Sequence, residues 1–521
     1  MSYRKSHVRN LMKFIILILS IISGFAFGAS KPLEIKTTKM RLVFHTSAVA
    51  SLVYQVDCLA GRIYCEDSLV KRFWKAQNWT ADDDAAIKSW NDIFDKYSQI
   101  SESVEELSSE VTDAIGFPIR NNTVAFDKKI RMASFISEDL ASYKNAISLL
   151  MVPADVEKSA RVIQHFQARH LKWWNREGSK RTNAFAQEFS KILQQKNLIP
   201  FVEQVAAFYE AELSVDTPIF FHFFYLPGHS DHSSGEQIEN HSCIEFLQGE
   251  KIEDRIDVVL HELFHYFYRS VRVQKHADFV KSFAQSSEAS SIVAYNLVNE
   301  VLATAFGNGM IFQKVSTEEE YAKRFAKEKT FYNDYAIDTV AKALIPHLEQ
   351  NLANSSTLYD KAFVFDYIQV VKNALHEKAN APKLALRSMV AIYQDGLNFG
   401  KDLDVFSRMI RSGSTWSSYD FASEKSWSRL KNSVQLSGLF LLTAKDIELL
   451  KPLEPILGSS QLTKIREQAK KESSFIFTIP RSAKSWIFVV VTNPGEEAQK
   501  LLSQIANAEK IEDIDKPSNA K

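Results

Sequence analysis

The sequence predicts a mainly α-helical protein with a small β-sheet, an α+β arrangement. Apolar residues recur at the spacing of amphipathic helices over most of residues 47–213 and again over much of residues 318–470. Strand-like apolar runs are few and short, and they lie at residues 218–226, 243–247, 475–479 and 486–492. The last two runs are separated by a short polar turn and predict a terminal β-hairpin.

Length and composition indicate a globular protein with substantial cores. The chain has 521 residues, enough for about two to four domains, and it is 45% hydrophobic and 24% charged. Basic and acidic residues number 63 each, so no excess of positive charge would attract nucleic acid. Only 16 glycines occur, with no Gly-x-Gly-x-x-Gly motif, which argues against a nucleotide cofactor.

Residues 1–28 have the pattern of a signal peptide. Basic residues, Arg4 and Lys5 among them, precede the apolar run at residues 14–22, and Ala26-Phe27-Gly28 gives a small-x-small cleavage site. The apolar run is short for a membrane span. We therefore expect export from a bacterial cell to the periplasm or beyond, with no stable membrane insertion after cleavage. An uncleaved N-terminal membrane anchor is the alternative.

Residues 29–215 form a predicted helical N-terminal region. Export to an oxidising compartment makes a disulfide between the nearby Cys58 and Cys65 the expected state. Residues 40–44 could form one strand, and breaks are expected at residues 116–118 and at Pro200. Helical patterns are predicted at residues 47–57, 67–76, 81–97, 127–150, 155–175 and 184–213.

The most informative motif is His261-Glu262-x-x-His265, which lies in an apolar stretch without proline or glycine. On a helix, residues four apart share one face, so both imidazoles can reach a single ion. A helical His-Glu-x-x-His pattern is typical of a Zn²⁺ site in which the glutamate acts as general base. The alternative is an ordinary core helix with two satisfied histidines.

A catalytic zinc needs a third protein ligand and an open fourth position. Residues 290–307 predict a second helix, which begins at serines and ends at Gly307. Glu300 lies in its middle among apolar residues, where a carboxylate needs a partner such as a metal ion. Glu288 is the rival ligand, although its serine-rich setting also suits a helix start.

These residues resemble the gluzincin metallopeptidases, in which a His-Glu-x-x-His helix is followed by a helix carrying an Asn-Glu pair. The resemblance covers residues 218–310 and rests on five residues, which are His261, Glu262, His265, Asn299 and Glu300. The gap between the two helices is longer than in the thermolysin-like members. Thr304 occupies the place where such enzymes often carry a residue that hydrogen-bonds a metal ligand.

The resemblance implies a zincin-like catalytic core at residues 216–350, flanked by the helical region 29–215 and by a helical C-terminal region, 351–521, that carries the hairpin. It implies one Zn²⁺ per chain, held by His261, His265 and Glu300. It also implies that Glu262 is the catalytic base in the hydrolysis of peptide bonds.

The run at residues 243–247 is interpreted as an edge strand shortly before the metal helix. In zinc peptidases resembling this one, such a strand pairs with an extended peptide or protein substrate. Substrate contacts are therefore expected at Ile244, Glu245 and Phe246. Candidates for the group that stabilises the oxyanion are Tyr332, Tyr335 and His347, with packing as the alternative role, and Tyr335 is predicted to bind substrate.

Two further interpretations concern groups outside the motif. Cys243 is expected to be a buried free thiol rather than a nucleophile. Four histidines near the motif could suggest a second metal site, but their spacing matches no ligand pattern and they are interpreted mostly as solvated loop residues. These are His222, His229, His232 and His241.

The sequence thus predicts an exported zinc metallopeptidase. One alternative is a zincin-fold binding protein without catalysis, against which the intact Glu262 argues. The other alternative is a zinc hydrolase acting on substrates other than peptides, which a substrate screen would separate.

Overall fold

The computed structural model describes residues 32–514, apart from residues 64, 66, 104–110, 112–114, 120–122 and 229–233. The predicted signal peptide lies outside the described residues. Within the described part of the chain, no helix combines the length and the apolar character needed to cross a membrane. Helices predominate and surround two five-stranded sheets and one two-stranded sheet, which confirms the mainly α, α+β prediction.

The N-terminal part of the chain is mostly helical. Its strands are β1 (Leu33–Lys36), β2 (Arg41–His45), β3 (Ser101–Ser103) and β4 (Thr123–Ala125). Its helices are α1 (Ala48–Leu59), α2 (Asp67–Lys75), α3 (Ala81–Ser98), α4 (Phe126–Phe135), α5 (Leu140–Ile147), α6 (Pro153–Trp173), α7 (Ser179–Gln195) and α8 (Leu198–Phe208). A π-helical segment, Trp174–Gly178, joins α6 to α7 without a break.

Local signals placed most of these helices correctly, and two predicted boundaries were wrong. The stretch 127–150 is two helices rather than one, because Asp139 caps α5 through the backbone N–H of Ser142. Pro200 does not interrupt α8, since it lies in the first turn, where a backbone N–H has no helical partner. The break falls at Asn197, whose φ of 49° is left-handed.

The predicted disulfide between Cys58 and Cys65 is present, and Cys243 is a buried free thiol as expected. The disulfide joins the end of α1 to the segment that leads into α2.

The first sheet combines the N-terminal strands with the segment that precedes the metal motif. Its later strands are β5 (Ile219–Leu226), β6 (Gly235–Ile238) and β7 (His241–Leu247). The strand order is β1-β2-β5-β7-β6, in which β2, β5 and β7 run parallel, while β1 and β6 are antiparallel to their neighbours. The helices that follow are α9 (Ile256–Arg269), α10 (Val273–Ala284) and α11 (Ser291–Ala303).

Strand β7 is an interior strand, so the prediction of an edge strand at residues 243–247 was wrong. It pairs with β5 on one side and with β6 on the other, and every residue of β7 is buried. A continuous apolar run is typical of a strand that is covered on both faces. The edge is β6, whose polar sequence had been interpreted as part of a loop.

Helix α11 also differs from its prediction, because Gly307 does not end it. The chain continues through a π-helical segment, Thr304–Ile311, into α12 (Phe312–Val315). The entire π segment is buried.

The C-terminal part contains a second sheet that the sequence analysis missed except for its hairpin. Its strands are β8 (Ser388–Tyr393), β9 (Ser414–Ser418), β10 (Ser437–Leu442), β11 (Phe475–Ser482) and β12 (Ser485–Val491). The order is β11-β12-β10-β8-β9, and only β11 is antiparallel to its neighbour. The predicted hairpin is β11–β12, whereas residues 384–394, predicted to be helical, contain the buried strand β8.

Helices of this part of the chain surround the second sheet. They link it to α9 and α11, which carry His261, His265 and Glu300 and are called the metal-motif helices. The surrounding helices are α13 (Glu318–Ala326), α14 (Tyr335–Ala353), α15 (Lys361–Leu375), α16 (Pro382–Ala385), α17 (Phe399–Met409), α18 (Glu424–Asn432), α19 (Glu454–Leu457), α20 (Ser459–Ala469) and α21 (Glu496–Asn507). One apolar cluster runs from one face of the first sheet through α9, α11 and α14 to one face of the second sheet. The metal-motif helices are therefore held between the two sheets.

Candidate metal centre

His261, His265 and Glu300 come together between α9 and α11. The Nε2 atoms of the two histidines are 3.0 Å apart. Oxygens of the Glu300 carboxylate lie 3.8 Å from Nε2 of His261 and 3.6 Å from Nε2 of His265. Among the described residues, this is the only group of three or more His, Cys, Asp or Glu side chains whose ligand atoms all lie within 4.8 Å of one another.

Each imidazole is oriented by an asparagine through its other ring nitrogen. Nδ1 of His261 is 2.9 Å from Oδ1 of Asn308, and Nδ1 of His265 is 3.1 Å from Oδ1 of Asn299. The orientation of Asn308 is fixed, because its amide nitrogen donates to Oδ2 of Asp257 at 3.1 Å. Asp257 in turn accepts a hydrogen bond from Arg324 at 2.7 Å.

These bonds determine where the imidazole protons are. An amide oxygen only accepts hydrogen bonds, so each Nδ1 carries the proton and each Nε2 carries a lone pair. Burial lowers the pKa of His261 and lowers that of His265 to about 4, so both rings are neutral near pH 7. Two lone pairs 3.0 Å apart repel each other unless a cation lies between them. Two nitrogens bound to one tetrahedral zinc would be separated by about 3.3 Å.

Glu300 completes the set with an ionised carboxylate. Burial raises the pKa of Glu300, but the neighbouring His265 and His261 and a hydrogen bond from Tyr332 outweigh this effect and lower it. Its Oε2 atom is buried and has no hydrogen-bond partner. A buried carboxylate oxygen without a donor is costly, and a metal ion would satisfy it. The residues present therefore fit a metal ion.

Glu262 lies beside the three candidate ligands and faces the edge strand. Burial, and next the negative charge of Glu300, raise the pKa of Glu262 to about 8. A metal cation bound to Glu300 would offset the negative charge of Glu300, and so would oppose its effect on the pKa of Glu262. The Glu262 side chain packs on Gly235 of β6, where a Cβ atom would come within 2.9 Å of its Cγ and 3.0 Å of its Oε1. Glycine at this position therefore lets the Glu262 carboxylate approach the edge-strand backbone.

Tyr332 is the one oxyanion candidate that lies at the site. Its ring stacks on His261 with 5.9 Å between ring centroids and 18° between the ring planes. Burial, and next the negative charge of Glu300, raise the pKa of its hydroxyl. Tyr335 instead lies at the start of α14 in a different cavity, with the Lys378 ammonium 3.7 Å from its ring centroid. His347 is an exposed residue of α14.

The substrate contacts predicted on β7 are not on an open edge, so that prediction was wrong. Glu245 is buried and accepts hydrogen bonds from the hydroxyls of Tyr54 at 2.8 Å and Ser234 at 2.7 Å. Ile244 and Phe246 belong to the apolar core that extends to α9. These three side chains support the sheet.

Two other residues differ from their predicted roles. Glu288, the rival ligand, is 3.0 Å from the Lys372 ammonium in an ion pair. Thr304 is buried, but its hydroxyl has no hydrogen-bond partner, so it does not support a ligand. Asn308 and Asn299 are the residues that hydrogen-bond the candidate ligands His261 and His265.

The remaining histidines of this region do not form a second metal site among the described residues. His222 and His241 stack in the interior, with Nε2 of the first 2.9 Å from Nδ1 of the second. Burial lowers the pKa of both, to about 3 for His241, so they pair as neutral rings. They are not the solvated loop residues that were expected. His229 and His232 lie outside the described residues.

Asn308 and Asp257 are the site residues that sequence reasoning missed. Asp257 lies outside the His-Glu-x-x-His motif, and Asn308 fell beyond the predicted end of the second helix at Gly307. A signal was present, since Asn308 lies about two turns after Glu300 if the helix is continued past Gly307.

Comparisons of the chain with protein-family models, with curated proteins and with solved structures give no match. The function is therefore argued from the geometry of the site.

Proposed function

We propose that this protein is an exported zinc metallopeptidase with a zincin-like core. One observation carries the proposal. The Nε2 lone pairs of His261 and His265, fixed by two asparagines, converge with a buried, unpartnered oxygen of Glu300. The carboxylate of Glu262 lies next to this convergence and beside a sheet edge.

The donor set favours zinc. Two neutral imidazole nitrogens and one carboxylate oxygen are ligands that Zn²⁺ accepts readily, and three protein ligands leave a fourth position for water or substrate. Bound zinc would polarise the scissile carbonyl and lower the pKa of a water molecule in the fourth position. We expect one zinc ion per chain.

Glu262 is the general base in this proposal. It follows His261 directly in the chain, and its partly desolvated carboxylate binds a proton more readily than an exposed glutamate does. Such a group can take a proton from the attacking water and then deliver it to the leaving amine. Tyr332, whose ring stacks on His261 and lines the adjoining cavity, is the candidate for donating a hydrogen bond to the developing oxyanion.

The edge strand β6 supplies a place for an extended peptide. It pairs with β7 on one side, and no other described strand pairs with its outer side. A substrate segment can add to this edge through backbone hydrogen bonds. The contact between Gly235 and Glu262 puts the base alongside the edge, so an added peptide would pass close to the catalytic groups.

The test compares Glu262→Gln with wild type on a mixed peptide library, with products detected by mass spectrometry. Removing the base should decrease the rate of hydrolysis by about 10²- to 10⁴-fold. Zinc content should remain unchanged, because glutamine at this position removes no metal ligand.

Glu253→Gln is the matched control, because Glu253 is an exposed carboxylate shortly before the same helix. It should hydrolyse peptides at the wild-type rate. Full activity of the zinc-loaded Glu262→Gln variant would contradict the proposed mechanism. Hydrolysis of esters or amides but of no peptide would show a zinc hydrolase of another substrate class.

A further inference from the structure

A cavity of about 490 Å³ opens directly beside the candidate metal centre. Asn299, Glu300 and Tyr332 line one side of it, and Arg269, Arg387 and Arg411 contribute to the rest. The cavity lies where α9 and α11 meet the turn between α17 and β9. The second sheet therefore contributes a wall to a space that adjoins the proposed zinc ligands.

Positive charge dominates this cavity. Among the described residues that line it, three arginines face a single carboxylate, that of Glu300. Glu300 is directed toward the two histidines, and Arg387 is neutralised by Asp334, 2.6 Å from its guanidinium. Carboxylates also act on Arg269, so the charge that remains is mainly that of Arg411.

The side-chain hydrogen-bond partner of Arg411 is uncharged, although the carboxylate of Asp334, which is paired with Arg387, also acts on its charge. The Arg411 guanidinium donates to the amide oxygen of Asn333 at 2.6 Å and lies 5.2 Å from the ring centroid of Tyr332. Neither partner cancels its charge, and it forms no ion pair with a described residue. The residue is exposed, so the guanidinium is accessible to a ligand that enters the cavity.

Arg269 also lines the cavity, but four carboxylates already act on its charge, those of Glu239, Glu262, Glu300 and Glu236. It donates to the backbone oxygen of Gln237 on β6 at 3.3 Å, while its buried Nε atom has no hydrogen-bond partner. It forms no ion pair with any residue that the structure describes. An arginine does not lose its proton in proteins, but the nearby carboxylates already offset part of this charge, so Arg269 needs a further anion less than Arg411 does.

We propose that this cavity binds a carboxylate of the substrate through Arg411. A guanidinium can bind a carboxylate with two parallel hydrogen bonds, which gives both affinity and orientation. The preferred substrates are then peptides that carry an acidic side chain or a free C-terminal carboxylate close to the scissile bond. This inference rests on the proposed peptidase function.

The test measures peptide binding by calorimetry to zinc-loaded Glu262→Gln, in which turnover does not interfere. The probes are acetylated alanine pentapeptides. One set has an amidated C-terminus and Asp at each position in turn, the second has Asn instead of Asp, and the third has Asn and a free C-terminal carboxylate. We expect at least one Asp or free-carboxylate peptide to bind about tenfold more tightly than its amidated Asn counterpart. One additional charge-assisted hydrogen-bonded pair accounts for a difference in affinity of this size.

Arg411→Gln, added to the same protein, should abolish this preference, whereas Arg411→Lys should retain part of it. Arg408→Gln is the matched control, because it removes an exposed arginine in the last turn of α17, three residues before Arg411, that does not line the cavity. Tighter binding of the amidated Asp peptides would show that the bound carboxylate belongs to an acidic side chain. Tighter binding of the free-carboxylate peptides would show that it is the C-terminus of the peptide.

Equal affinity for all three peptide sets, or an unchanged preference in folded Arg411→Gln, would overturn the inference. Peptide hydrolysis by wild type without any preference for acidic peptides would leave the peptidase proposal standing and overturn this one. A preference in binding without hydrolysis by wild type would support the cavity assignment and contradict the peptidase proposal.

Discussion

At the residue scale, two asparagines decide what the two histidines can do. A histidine can ligate a metal through Nε2 only if the proton is on Nδ1, and an amide oxygen next to Nδ1 enforces that tautomer. Asn308 does this for His261 and is itself held by Asp257, so one ligand is oriented through a chain of three side chains. Asn299 does the same for His265 directly from α11.

Replacing Asn308 by alanine should weaken zinc binding by about 10- to 100-fold, because His261 loses its acceptor and Asp257 loses a donor. The zinc dissociation constant, measured by competition with a chromogenic chelator, checks this prediction. Thr304→Val is the control, since the Thr304 hydroxyl has no partner and should have no effect on affinity. The opposite pattern, with weaker binding only in Thr304→Val, would show that the asparagine does not support the ligand.

At the element scale, the site depends on how closely α9 approaches the π segment that follows α11. Gly307 lies at the contact. A Cβ atom there would come within 2.8 Å of both Cα and Cβ of His261 and within 2.9 Å of the backbone oxygen of Asp257. These are backbone or backbone-attached atoms, which cannot move aside as the end of a flexible side chain can.

Gly307→Ala should therefore decrease the free energy of unfolding by about 1–3 kcal/mol, as overpacking between two fixed elements does. Urea unfolding followed by circular dichroism measures it. Gly400→Ala in α17 is the control, because its nearest neighbour would be the Tyr393 hydroxyl at 3.6 Å and alanine favours a helix. An alanine at position 307 that left stability unchanged would mean that the two elements can separate freely.

Elements were predictable from sequence where local signals determine them. The capping box of Thr80 and Asp83 and the apolar stripe that follows gave α3 almost to the residue. The status of β7 was not predictable in this way, because an edge strand differs from an interior strand only by what pairs with it. Its outer partner, β6, is only four residues long with one apolar side chain, Ile238, and no local pattern distinguishes it from a loop.

At the scale of the whole molecule, the candidate site is assembled from segments far apart in the chain. The spacing of His261, Glu262 and His265 is local and could be recognised directly, and Glu300 followed from an unpartnered charge in an apolar helix. Arg411 comes from the turn before β9, over a hundred residues later, and no sequence pattern connects it to Glu300. The fold class was predicted correctly, but most of the second sheet was missed. Strands β8 and β10 are short apolar runs that also fit buried helices, and β9 is a short polar segment that also fits a loop.

The central claim is that His261, His265 and Glu300 hold one zinc ion, and zinc content per folded chain tests it most directly. Elemental analysis after dialysis should give close to one zinc per chain for wild type and for Glu288→Gln, whose carboxylate is paired with Lys372. Glu300→Gln should retain far less, because a neutral amide replaces the anionic ligand. Folded wild-type protein without zinc, or full zinc occupancy in Glu300→Gln, would contradict the account.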